Sequence, residues 1–242
     1  MKSLKVLSIF LTVGFLFGTS YGNSFKGCYK GYYLFFPIIK NCVIYKEEKN
    51  LIHFSSTVKT LGIAKAVRKI YYEGESFILK ENKEPIYFNF NQNEKNLNVI
   101  QTYFFYKNKI IFYKKRNFKG KENTILKILP QEQYIDPFSA SLVLYNSIPK
   151  IKKGNIFVFY DGKKYRIPFK LIKEEKIKIN SKKYNTYLVE IKPNVKSEGI
   201  LKTKGKWYIW IDKKMKFPVK IKASFVVGTI NLYLEKRVEY HK

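Results

Sequence analysis

The sequence predicts a mainly β protein built from antiparallel strands, and three observations carry that expectation. Over Trp207–Lys236, Trp207, Ile209 and Ile211 alternate with Tyr208, Trp210 and Asp212, and Ile230, Leu232 and Leu234 alternate with Asn231, Tyr233 and Glu235. A period of two places one set of side chains on each face of a strand. Short polar pairs between apolar runs recur at Lys107-Asn108, Asp161-Gly162 and Asn180-Ser181, where two-residue hairpin turns fit. A strong helix start stands out at Asp136-Pro137.

In chain order, residues 1–22 have the three parts of a secretory signal. Lys2 and Lys5 lead, an apolar run from Val6 to Phe17 follows, and Gly18-Thr19-Ser20-Tyr21-Gly22 closes with small residues at Ser20 and Gly22. A run of about 12 residues falls short of the roughly 20 that cross a bilayer, so cleavage is expected after Gly22. Residues 23–242 are then expected to form a single β-rich domain, periplasmic or otherwise exported, with no transmembrane span. Cys28 lies near the signal, but Phe25-Lys26-Gly27 before it puts a charge where a lipoprotein signal needs a small residue. Cys28 and Cys42 are the only cysteines, and in an oxidising compartment a pair with 13 residues between them is expected to be a disulfide. A redox pair needs the closer Cys-x-x-Cys spacing.

In residues 26–47 that bridge would tie a Tyr-rich first strand to the loop or strand after Pro37, and Leu51–Val58 reads as another strand. His53 within it is expected to be structural, since only His241 could join it in a histidine site. Thr60–Tyr72 is open: Ile63, Val67 and Ile70 fall at helical spacing, while the run from Val67 onward reads equally as strand. Ile86–Phe90, Asn98–Tyr106 and Lys109–Tyr113 form a meander. Its aromatic residues are expected to be core and cross-strand pairs rather than a base-stacking platform. At Asp136 the carboxylate can accept from free amides and Pro137 lacks a proton that would go unsatisfied, so helix is expected through Ser139–Ser147. Phe138, Leu142 and Tyr145 on one side and Ala140, Val143 and Leu144 around the rest leave little to face water, so this helix should be buried against the sheet. Beyond Pro149, IFVFY and KKYRIPF flank Asp161-Gly162, and EEKIKI and KKYNTYLVEI flank Asn180-Ser181, giving two further hairpins. The Trp207–Lys236 stretch closes the chain as two or three strands, with Asp212-Lys213-Lys214 as a turn and Gly228 as a bulge or bend.

Several of these features together resemble a known family. Asp136-x-x-Ser139 opening a helix that ends in Leu-Tyr, Tyr160-Asp161-Gly162-Lys163, Val189-Glu190-Ile191-Lys192-Pro193, Gly199, Trp210-Ile211-Asp212, Pro218-Val219 and Gly228-x-Ile230 follow one another in the order and spacing of the bacterial envelope family DUF3108, best over residues 130–236. The resemblance implies an antiparallel sheet curled into an incomplete barrel, with one or two helices packed on its concave side. That build is similar to the periplasmic carriers and receptors of lipoproteins. It supplies no reaction, and likeness of fold is weak evidence of function.

The formal charge is +29, or +27 without Lys2 and Lys5, and only four of the 47 basic residues are arginine. Export removes nucleic acid as a partner, and so little arginine argues against bidentate phosphate reading. Lipid head groups and acidic envelope glycolipids are the anionic surfaces left. A lysine-rich composition with no task of its own is the other reading, and both stand. No Gly-x-Ser-x-Gly elbow, phosphate loop or His-Glu-x-x-His is present, so no enzyme, cofactor or metal site is expected. Carboxylates paired across space would be the one route left to a hydrolase. The leading expectation is a binding module whose curled sheet holds an acyl chain or another apolar ligand, a lipid, lipoprotein or anionic glycolipid, with Trp207, Trp210 and Phe225 on its wall. The alternative is an envelope docking protein whose interior is filled by its own side chains.

Overall fold

The computed structural model describes residues 24–240 apart from 197 and 200. The expected signal segment and His241 lie outside the described residues. The strands are β1 (Ser24–Tyr33), β2 (Phe36–Glu48), β3 (Leu51–Thr60), β4 (Ile70–Leu79), β5 (Pro85–Glu94), β6 (Leu97–Phe105), β7 (Lys109–Phe118), β8 (Lys121–Pro130), β9 (Lys153–Tyr160), β10 (Lys163–Ile179), β11 (Lys182–Ile191), β12 (Trp207–Asp212), β13 (Pro218–Phe225) and β14 (Gly228–Glu239). Two helices join them, α1 (Gly62–Val67) and α2 (Pro137–Ser147).

All 14 strands belong to one sheet, in the order β8 to β1, then β14 back to β9. Two antiparallel meanders therefore meet where the first strand pairs with the last. The free edges are β8 and β9, and the sheet rolls without closing. The link after β8 partly spans the gap: Ile135 bridges β9 in parallel, donating to the Phe157 carbonyl at 3.1 Å and accepting from the Phe159 amide at 2.9 Å. No helix among the described residues is long and apolar enough to cross a membrane.

The expected hairpins form, and Asp161 and Gly162 both adopt positive φ, 51° and 66°, as a two-residue turn between twisted strands requires. Cys28 and Cys42 sit directly opposite each other on β1 and β2 and are bonded, with an S–S distance of 2.16 Å. Asp136 caps α2 by accepting from the Phe138 and Ser139 amides at 2.7 and 3.3 Å. The helix packs inside the roll against β4 and β9. Its approach to β4 is possible because position 74 is glycine: a Cβ there would lie 3.0 Å from the Phe138 ring.

Three segments refine the reading from sequence. Thr60–Tyr72 divides, with Ile63 and Val67 in α1 and Ile70 buried at the start of β4. Residues 121–130, to which no element was assigned, form β8; nearly every side chain is exposed because the strand is an edge. EEKIKI and KKYRIPF belong to one 17-residue strand, β10, which pairs β9 through its first half and β11 through its second. β12 covers only Thr186–Ile191 of β11, so the β10–β11 hairpin continues beyond it as a two-stranded arm. Ile179 on this arm is buried, and Ile177, Tyr184, Trp210 and Tyr233 pack into the same cluster.

The main core gathers α2 and the side chains of β1–β4 and β9–β14 that face it, and extends to the arm residue Ile179. A second cluster, Phe88, Tyr103, Phe105, Ile110 and Phe112 with Phe159 of β9, fills the roll beneath β5–β7. Burying each such side chain contributes about 1.5–3 kcal/mol; Phe88, Tyr103, Phe105 and Phe112 of the meander therefore serve as core, while Phe104 and Tyr106 are exposed.

Candidate functional site

The described residues do not fill the interior everywhere. Between α2 and the sheet lies a cavity of about 340 Å³. Its walls follow from strand alternation: Ile156, Val158 and Tyr160 share one face of β9 and line it, with Phe159 on the other face packed against β6 and β7, and Trp207 and Ile209 of β12 and Phe90 and Gln92 of β5 complete it. Leu144 and Tyr145 of α2 close one side, and the small side chains of Ala140 and Ser141 leave the space. Pro193, Val195 and Leu201, in the segment joining β11 to β12, also line it.

Of the three expected wall residues, Trp207 and Phe225 line this cavity, with ring centroids 5.2 Å apart in an edge-to-face arrangement. The Trp207 indole donates to the Ser224 carbonyl at 2.9 Å, which fixes the ring while leaving its apolar face on the hollow. Trp210 lies elsewhere. Alternation sends it to the opposite face of β12, where its indole donates to Glu175 at 2.7 Å and the Lys220 ammonium lies 4.3 Å from the ring centre. The β10–β11 arm, with Ile177 and Tyr184, packs beside it.

The cavity has one polar end, made by Tyr72, Gln92 and Glu198. Behind it stands a network that sequence reading missed. The Glu94 side chain is fully buried and bonded to Arg68, Tyr72 and Gln92, the last at 3.0 Å. Burial, followed by the bond to Glu94, pushes the Tyr72 hydroxyl well above its ordinary range. Gln92 also donates to the Glu198 carbonyl at 3.3 Å. Lys114 reaches Asp161 at 2.6 Å and Glu198 at 2.7 Å, and Arg116 reaches Glu198 at 2.5 Å. Burial alone would raise the Glu198 carboxyl; the hydrogen bonds from Arg116 and Lys114 outweigh it and hold the group below its ordinary value.

Gly199 seats the segment on this network. Its φ is +81°, and an added Cβ would come within 2.0 Å of Glu94 Oε1 and 2.2 Å of Gln92 Nε2. The signal was available in sequence, since Tyr72, Gln92 and Glu94 are polar residues on the inward parity of their strands.

Chemically, the site offers a mostly apolar pocket and a polar rim held by hydrogen bonds and ion pairs. A general acid for glycoside cleavage needs a raised carboxyl pKa, and Glu198 is shifted the other way. Among the described residues no three His, Cys, Asp or Glu side chains converge as metal ligands. His53 stacks on Phe77 at 4.6 Å and lies 3.3 Å from Glu75.

The comparisons with known proteins agree with this architecture. The family described as "Protein of unknown function (DUF3108)" matches residues 28–235, taking in the N-terminal strands as well as the segment that carries the sequence resemblance. A crystal structure of a beta-barrel-like protein of domain of unknown function DUF1849 from Brucella abortus superposes with a TM-score of 0.57 at 13% identity, covering 90% of this chain and 98% of that one. At that identity the likeness concerns the fold alone. No curated protein matches.

Proposed function

Because the chain belongs to the DUF3108 family, whose description assigns no activity, we propose from the geometry of the interior that it is a non-enzymatic binding protein for an apolar ligand, exported to the cell envelope. The observation that carries this reading is the apolar hollow between α2 and the sheet, walled by Trp207, Phe225, Ile209 and Val158 and closed at one end by polar groups. Its volume of about 340 Å³ falls within the range of roughly 300–1,000 Å³ typical of small-molecule sites. That space suits a single acyl chain, with a head group meeting Gln92 and Tyr72.

An open hollow favours this reading over a docking protein with a filled interior. The lysines give no comparable support, because exposed ones, Lys26, Lys46, Lys107, Lys127, Lys170 and Lys222 among them, lie on strands and turns all around the sheet. The export expected from residues 1–22 belongs to the same proposal.

Native mass spectrometry of the purified protein tests it. A stoichiometric adduct, released on denaturation and reduced in Ala140→Phe, whose new ring would occupy the hollow, is the expected result. A bare polypeptide mass that persists after incubation with a saturated fatty acid would overturn the reading.

A further inference from the structure

One rim of the sheet carries apolar side chains that none of the described residues covers. Phe35 at the β1–β2 tip is 90% exposed, and Ile63 and Val67, one helical turn apart on α1, are 76% and 80% exposed. A stripe at that spacing normally faces a core; α1 buries none of its residues. Val226 and Val227 at the β13–β14 turn are exposed as well. Strand register brings these elements to one end of the roll: Tyr33 pairs with Ile230, and Ile39 pairs with Thr60 just before α1. Between them lies an apolar hollow of about 740 Å³, bordered by Phe36, Ile63, Val67 and Val227.

The segments that form this rim carry charge of one sign. The stretches 33–40, 59–69, 201–206 and 225–229 contain no Asp or Glu. Lys59, Lys65, Lys69, Lys202 and Lys204 are all exposed there. Backbone bonds from Val226 to Lys202 (3.0 Å) and from Lys204 to Ser224 (2.9 Å) hold the last two beside the β13–β14 turn. Projecting apolar tips flanked by lysine, on stretches that carry no carboxylate of their own, match an interface where hydrocarbon lies beneath anionic head groups; the nearest carboxylates, Glu235 beside Phe35 and Glu198 beside Val67, belong to other stretches.

We propose that this rim docks the protein onto a bilayer containing anionic lipid, with Phe35, Ile63, Val67 and Val226 inserted among the head groups and the lysines meeting the phosphates. The proposal rests on residues other than the ligand cavity walls, Leu201 alone lining both hollows, so either can fail without the other.

Flotation of the mature chain with vesicles tests it, using phosphatidylglycerol mixed with phosphatidylethanolamine against phosphatidylcholine alone. The wild type is expected to float with the anionic vesicles and to be released by salt. Phe35→Ser with Val67→Ser should lower binding by about tenfold or more, since both tips lose their buried area. Lys65→Glu with Lys202→Glu should weaken binding and flatten its salt dependence. All four positions are exposed, and circular dichroism confirms that the fold is kept. Three results would overturn the proposal: no binding to anionic vesicles, equal binding to both vesicle types, or unchanged binding in both variants. Self-association of the wild type that Phe35→Ser with Val67→Ser abolishes would assign the rim to a second copy of the chain instead, and would equally overturn it.

Discussion

Asp136 ties the buried helix to the sheet, and its ionisation should be visible in the protein's stability. The carboxylate is fully buried, accepts from the Phe138 and Ser139 amides and the Ser139 hydroxyl, and receives the Ser76 hydroxyl of β4 at 3.1 Å. Burial dominates these bonds and pushes the group up to about 6. An unfolded Asp titrates near 3.9, so the native state holds this proton more tightly by roughly two pH units, about 3 kcal/mol at 1.36 kcal/mol each. With the folded value above the unfolded one, this contribution is fully present below about pH 4 and is lost as pH rises through about 6. Asp136→Asn keeps an oxygen to accept from the two amides and removes the charge. Urea unfolding followed by circular dichroism between pH 4 and pH 8 is the assay. The wild type should lose up to about 3 kcal/mol relative to Asp136→Asn across that window, with the difference flat above it. Parallel profiles for the two proteins would refute the argument that a desolvated carboxylate caps α2.

Gly199→Ala should cost at least about 2 kcal/mol, because a side chain at positive φ is strained and its Cβ would displace Glu94 from Arg68. Faster tryptic cleavage at Lys196 and Lys202 would register the loosened segment, whereas wild-type resistance would show that Gly199 holds nothing in place. Lys114→Met leaves Asp161 and Glu198 without their shared cation and should destabilise by about 3–5 kcal/mol, measured by urea unfolding. Replacing both Cys28 and Cys42 by serine opens a 14-residue loop in the unfolded chain and should cost about 3 kcal/mol; denatured, unreduced wild type should show no free thiol.

What was legible in sequence and what was not divides along physical lines. Alternation, two-residue turns and the Asp136-Pro137 cap are local signals, and they located the hairpins, the buried helix and the closing strands. β8 escaped because an edge strand with exposed faces has little reason to alternate. At Thr60–Tyr72 one apolar series served two elements, an exposed helix and a buried strand. The cavity was half legible: the parity that put Trp207 inside also puts Trp210 outside, so one strand could not supply both as wall residues. The network of Glu94, Arg68 and Glu198 joins residues more than 100 positions apart in part, and only the roll of the sheet brings Gln92 to Glu198.

The most direct test of the central claim uses this division between the only two tryptophans. Trp210→Phe leaves Trp207 on the cavity wall as the sole indole, and Trp207→Phe leaves Trp210 on the outer face. A fatty acid brominated along its chain should quench Trp207 saturably, with one chain per protein, and leave Trp210 nearly unaffected. Equal quenching of both, or none of Trp207 under conditions where the chain is in excess, would contradict an acyl chain held between α2 and the sheet.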